Sequence, residues 1–195
     1  MLNKAGPGEA ACDLVRDAVR AWLERAVIGL GLCPFAVEPH DFGRVRIEVS
    51  AARTEHALLL DLYEAISRLM QTSSEVVETS LVVVPGMFED FGSYNQFLEQ
   101  VDTLLAEYGW DSVVQIASFH PNYCFQSTRP EDDSNLTNRS PYPILHILRE
   151  ASIERALLMH PDPAGIPDRN IARMEGLSDA EKRRCFPYLF DRHGR

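Results

Sequence analysis

The chain has no apolar run near the roughly 18 residues that a bilayer-spanning helix needs, so no membrane span is expected. Cysteine is scarce. Cys12, Cys33, Cys124 and Cys185 form no C-x-x-C pair, which argues against a disulfide framework and against a paired-cysteine zinc site. Basic residues are outnumbered, with 19 Lys and Arg against 29 Asp and Glu, and the formal net charge of −10 makes nucleic acid or an anionic membrane a poor partner. There is no G-x-G-x-x-G, no P-loop and no H-E-x-x-H, so the sequence identifies no cofactor and predicts no metal site. Ser118 lacks the G-x-S-x-G context of a hydrolase nucleophile. No charged segment followed by an apolar stretch opens the chain, and the expected location is the cytoplasm.

What remains is enough apolar sequence, 45% of 195 residues, for one core. Residues 1–10 are rich in Gly, Ala and Pro and are expected to be a flexible N-terminus, leaving 11–195 as a single α/β domain. From Asp13, apolar residues at 15, 19, 22, 23, 26, 27 and 30 follow a helical period that runs into Gly29, Gly31 and Pro34. Arg44–Ser50 alternates like a half-buried strand, and Thr54 caps a helix striped by Leu59, Leu62, Ile66 and Leu69. Ser80–Pro85 and Val113–Phe119 read as two more strands, separated by a helix that Ser93 and Gln96 open as a capping box. Ser140-Pro141 predicts the start of a fourth helix running to 159, and a short helix is expected near Pro167–Glu175. The order is therefore α-β-α-β-α-β-α: a small layered sheet of about three strands with helices packed on it, parallel if the crossovers are right-handed, with a mixed arrangement as the alternative.

The segment Phe119–Glu150 concentrates the chemistry. It joins a strand to an expected helix and holds two histidines, three arginines, a cysteine and two tyrosines. A connection this long is uncommon unless it is disordered or has a task, and its aromatic and proline content argues against disorder. In α/β sheets, ligands bind beyond the carboxyl ends of the strands, where the strand-to-helix loops gather. His120 directly follows the third strand, at a rigid position facing such a cleft, and is the candidate acid/base; His146 and Tyr123 are its candidate assistants. Asn138 and Arg139 precede the expected helix start, and Arg149 lies three residues from His146, on the same face if the segment is helical. Arginines over a helix N-terminus suit a phosphate or carboxylate, so these three are the candidate ligand-binding set. The bland alternative gives each of these residues a hydrogen bond that only holds the long loop together. Cys33 follows a helix C-terminus, where the dipole raises a thiol's pKa, and is expected to be a buried structural cysteine.

The stretches GLCPFA at 31–36, FHPNYCF at 119–125, SNLTNRSPYPILHILRE at 134–150 and HPDPAGIPDRN at 160–170 together resemble a bacterial family catalogued as a domain of unknown function, number 1415. The resemblance spans nearly the whole chain. It implies a self-contained bacterial protein and brings no activity, cofactor or catalytic residue with it.

Two functions compete on these residues. In the first, the protein binds a small anionic molecule at the face formed by loop 119–140 and helix 141–159; whether it also acts on that molecule, and so is an enzyme, the sequence leaves open. In the second, the aromatic and proline-rich stretch 119–142 is a non-catalytic docking surface for a protein partner, marked by Tyr123, Phe125 and Tyr142. The oligomeric state is not indicated by any feature of the sequence.

Overall fold

The computed structural model describes residues 8–190. Most of the expected flexible N-terminus, 1–7, and the last five residues lie outside the described part. Helix α1 (Glu9–Trp22) begins four residues before Asp13 and widens into a π-helical stretch, Leu23–Ile28. In that stretch the Gly29 N–H reaches back five residues to Glu24 O at 2.9 Å. Gly31, at φ +70°, then turns the chain. A short α2 (Val37–Asp41) leads into β1 (Val45–Val49).

The next segment follows its sequence pattern closely. Thr54 caps α3 (Glu55–Gln71), its hydroxyl accepting from Ala57 N at 3.2 Å. Strand β2 (Thr79–Val83) is buried throughout, as its continuous β-branched run requires. Helix α4 (Phe91–Glu107) starts two residues before the expected box at Ser93, because Asp90 is the actual cap: its carboxylate accepts from Ser93 N at 2.8 Å and from Ser93 Oγ at 2.6 Å. Strand β3 (Val114–Phe119) follows.

The main correction lies beyond it. Ser140 starts no helix; Ile144–Arg149 is a fourth strand, β4, and the helix after it, α5, covers only Glu150–Met159. Two forces select the strand. A residue before proline is pushed away from the helical region, so Pro143 disfavours a helix running through Tyr142. The run Ile-Leu-His-Ile-Leu then lies in mid-sheet and is covered on both faces, where an apolar strand carries no period-2 signal and cannot be told from a buried helix by spacing. The sheet order is β1-β2-β4-β3, with β1 parallel to β2 and β4 antiparallel to both of its neighbours. The sheet is mixed, with four strands where about three were expected. A 3₁₀ turn (Asp133–Asn138) interrupts the long connection, and α6 (Ile166–Glu175) and α7 (Asp179–Cys185) end the helical part. The capping box at Ser178 and Glu181 that opens α7 was not read from the sequence.

Helices α3 and α4 cover one face of the sheet around Leu62, Ile66, Tyr94 and Phe97, all fully buried. The opposite face carries α1, the π-helical stretch, the 3₁₀ turn and the C-terminal segment around Trp22, Leu81, Ile144, Met174 and Phe186. No helix among the described residues is long and apolar enough to cross a membrane.

Candidate functional site

His120 is buried in the α4-side layer, between Tyr94, stacked at 5.3 Å, and Phe91 at 5.5 Å. Its Nδ1 accepts the backbone N–H of Asn122 at 2.9 Å, so the proton sits on Nε2, which donates to Phe88 O at 2.9 Å. Both ring nitrogens are thus engaged with backbone. Phe88 has φ +59°, a left-handed conformation that a bulky side chain adopts only when its surroundings impose it. His120 supplies part of that constraint, and Asn122 Nδ2 adds a second tie to Glu89 O at 3.3 Å. The exit of β3 therefore holds the β2–α4 loop in shape.

His146 lies on the other face. It pairs with Leu81 across β2 and β4, and its ring neighbours Phe119; both of these residues belong to the α1-side core. Thr79 Oγ1 donates to Ile147 O at 2.7 Å, so His146 Nε2–H donates into the same hydroxyl, also at 2.7 Å. Burial pushes this imidazole down to about 4, although a corner of the residue still reaches solvent. His120 and His146 thus do not converge on one concavity, contrary to the expectation for an acid/base with an assistant. Tyr123 packs against Phe91 at 4.7 Å and Phe125 at 5.0 Å, away from His146.

The arginines separate for the same reason. On a helix, His146 and Arg149 would share a face; three residues apart on β4 they point to opposite faces. Arg149 stands five residues along the strand from Ile144, roughly 17 Å at the rise of a strand, at the end remote from Arg139. Its Nη2 donates to Leu69 O and Thr72 O at 2.6 Å, satisfying carbonyls at the end of α3, and to Val77 O, just before β2, at 3.0 Å. Arg139 donates through Nε to Tyr123 O at 3.3 Å and through Nη2 to Pro130 O, and Asn138 Nδ2 donates to Ser118 O at 3.2 Å. Buried Asn135 accepts from Phe125 N at 2.9 Å and Thr128 Oγ1 at 2.7 Å and donates to Arg129 O at 2.7 Å. The polar wealth of this loop largely satisfies its own backbone.

Cys33 is half-buried, and burial pushes its thiol up. Among the described residues no three His, Cys, Asp or Glu side chains are grouped to hold a metal.

A groove nevertheless opens at the carboxyl ends of β2 and β3, on the α1 side. It has a volume of about 720 Å³. One wall is the strand-exit loops, with Pro85, Met87, Phe88 and Glu89 after β2, Pro121 and Asn122 after β3, and Pro141–Pro143 leading into β4. The other is Ala18, Ala21, Trp22 and Arg25, and the floor includes Cys185, Pro187 and Tyr188. Trp22 Nε1 and the Tyr188 hydroxyl both donate to Arg139 O, at 2.9 and 3.0 Å, which pins the two sides together. Arg25 belongs to the π-helical stretch, is exposed, and has no hydrogen bond or ion pair among the described residues. None of His120, His146, Tyr123, Asn138, Arg139 and Arg149 lines this groove; their sequence neighbours do. The helical period assigns Trp22 to the apolar stripe of an ordinary helix, and nothing in the sequence singles out Arg25 or Tyr188. No local pattern marks them, because only the packing of α1 across the strand ends gives them this position.

A family model described as a protein of unknown function, DUF1415, matches residues 14–184. The chain belongs to this family. No curated protein and no solved structure matches the chain.

Proposed function

We propose that the protein binds a small organic anion in the strand-exit groove. The observation that carries this reading is Arg25: a cation without a partner among the described residues, standing in a groove otherwise lined mostly by aromatic, proline and small apolar side chains, with Asn122 and Glu89 as further polar members. A volume of about 720 Å³ suits a metabolite-sized molecule, since such sites run to roughly 300–1,000 Å³ and are mostly apolar with a few placed polar groups. The apolar body of the ligand rests on Trp22, Tyr142 and the prolines, and its carboxylate or phosphate takes the guanidinium fork. Among the described residues Glu89 is the one carboxylate lining the groove, so any chemistry on the ligand would draw on it rather than on His120.

The docking-module reading draws less support. Tyr123 packs against both Phe91 and Phe125, whereas Tyr142 packs with the α1-side core, so the three rings do not form one patch. A bacterial, cytoplasmic setting without nucleic-acid partners fits the four free cysteines and the charge of −10. The test is a thermal-shift screen of anionic metabolites at constant ionic strength. A ligand at a hundredfold excess over Kd stabilises by about 2.7 kcal/mol. The response should disappear in Arg25→Gln; a panel without any response in the wild type would overturn the proposal.

A further inference from the structure

Two stretches that carry the family resemblance, 31–36 and 160–170, play no part in the groove; they meet each other instead. Asn170 Nδ2 donates to Leu32 O at 2.7 Å, and the ring of His160 stands edge-on to Phe35 at 5.9 Å. Between them is a second cavity, of about 270 Å³, walled by the turn at Leu30, Gly31 and Pro34 and by His160, Arg169, Asn170 and Arg173. Its residues are all different from those of the groove.

The basic wall is firmly held. Met174 anchors α6 in the core with no exposed surface. Asp162 organises the loop before that helix: its carboxylate takes Arg169 Nη1 and Gly165 N, and its carbonyl takes Arg169 Nη2 at 2.8 Å. Its own N–H donates to His160 Nδ1 at 3.1 Å, which leaves the proton on Nε2. That Nε2–H has no partner among the described residues. Arg173 likewise makes no hydrogen bond or close ion pair among them, and the half-buried Glu181 acts on it through space. Among the described residues no carboxylate lines the cavity. In a chain of charge −10, a small concavity lined by Arg173, by Arg169 in its pair with Asp162, by a histidine and by an amide presents one guanidinium without a close carboxylate, which attracts anions.

We propose that this cavity binds a tetrahedral oxyanion, either free phosphate or the phosphoryl end of a small monoester. The planar fork of Arg173 matches two phosphate oxygens, and His160 Nε2–H and the amide side supply donors from other directions. The cavity is too small for an extended organic ligand but accommodates a phosphoryl group. Its tie between the 31–36 turn and α6 gives both stretches a common purpose.

The experiment is a thermal-shift titration of the full chain with inorganic phosphate, glycerol phosphate and acetate, each against chloride at equal ionic strength. Phosphate should raise the melting temperature where acetate does not. Arg173→Gln, an exposed position, should keep the unliganded melting temperature and weaken the phosphate response at least tenfold in concentration; His160→Gln should weaken it too. Arg25→Gln should leave it intact, so this site and the groove fail independently. A stronger response to glycerol phosphate identifies a phosphorylated metabolite as the occupant, and an equal or weaker one identifies free phosphate. No response, a response matched by acetate, or one that survives Arg173→Gln would overturn the proposal. As a check that needs no variant, phosphate should shift the His160 Nε2 resonance in a nitrogen-proton NMR spectrum; an unmoved resonance at saturating phosphate would also overturn it.

Discussion

The two faces of the sheet are built by different means, and the contrast explains where a ligand can sit. The α3–α4 face is made of consecutive β-α-β units, and it closes on itself: Tyr94 and Phe97 are fully buried, and His120 is consumed in holding the β2–α4 loop. The α1 face is assembled from segments far apart in the chain, 9–28, 133–138 and 166–189, which meet over the sheet without sealing its carboxyl end. Local units close efficiently because short connections keep each helix against the strands it joins. Remote segments leave a seam, and the groove is that seam.

The sharpest way to break the comparison is at His120. His120→Ala removes the donor to Phe88 O and the acceptor for Asn122 N within the closed face, and should destabilise the protein by roughly 2–4 kcal/mol in urea unfolding. A loss within a few tenths of a kcal/mol would mean that the ring is not structural. Arg149→Met comes next. It removes the donor shared by Leu69 O, Thr72 O and Val77 O, so a loss of about 1–3 kcal/mol is expected, without change in any anion response.

His146, on the open face, should show as a pH effect. Its folded pKa is depressed to about 4, below the unfolded value near 6.5, so the unfolded chain binds a proton first on acidification. The stability it protects is fully present above pH 6.5 and is lost as pH falls from 6.5 towards 4, with a slope of at most about 1.4 kcal/mol per pH unit. His146→Phe should flatten that part of the unfolding profile; an unchanged slope would show that the ring is charged or exposed when folded. The smallest effect is kinetic. The raised pKa of Cys33 predicts slow alkylation by iodoacetamide at neutral pH, and rapid labelling in the native state would contradict its half-buried setting.

These residues also show how far sequence reasoning reached. Strands 45–49, 79–83 and 114–119 and the Thr54 cap were legible, because alternation, β-branched runs and capping are local signals. A concavity beside the strand-exit loops was legible in outline, but not its walls, because the expected helix 141–159 is β4 and α5 instead. The run at 144–149 imitates a helix, and reading it so placed Arg149 beside Arg139 and His146 in a cluster that a strand pulls apart. The polar side chains of 120–140 were visible, but not their targets: Tyr123 O, Pro130 O and Ser118 O are backbone groups that carry no mark in a sequence. Trp22 and Arg25 were hidden because their role depends on how α1 crosses the sheet. The pair Pro141 and Pro143, with its restriction on Tyr142, was the one available sign that the helix assignment was wrong.

The central claim is that the open seam, through Arg25, is the ligand site and that the residues of the long loop are its frame. Calorimetric titration of the strongest anion from the thermal-shift panel into wild type, Arg25→Gln and Arg149→Gln tests it most directly. The account predicts at least a tenfold weaker Kd in Arg25→Gln, about 1.4 kcal/mol or more, with Arg149→Gln binding as wild type despite its lower stability. Unchanged affinity in Arg25→Gln, or loss confined to Arg149→Gln, would contradict it.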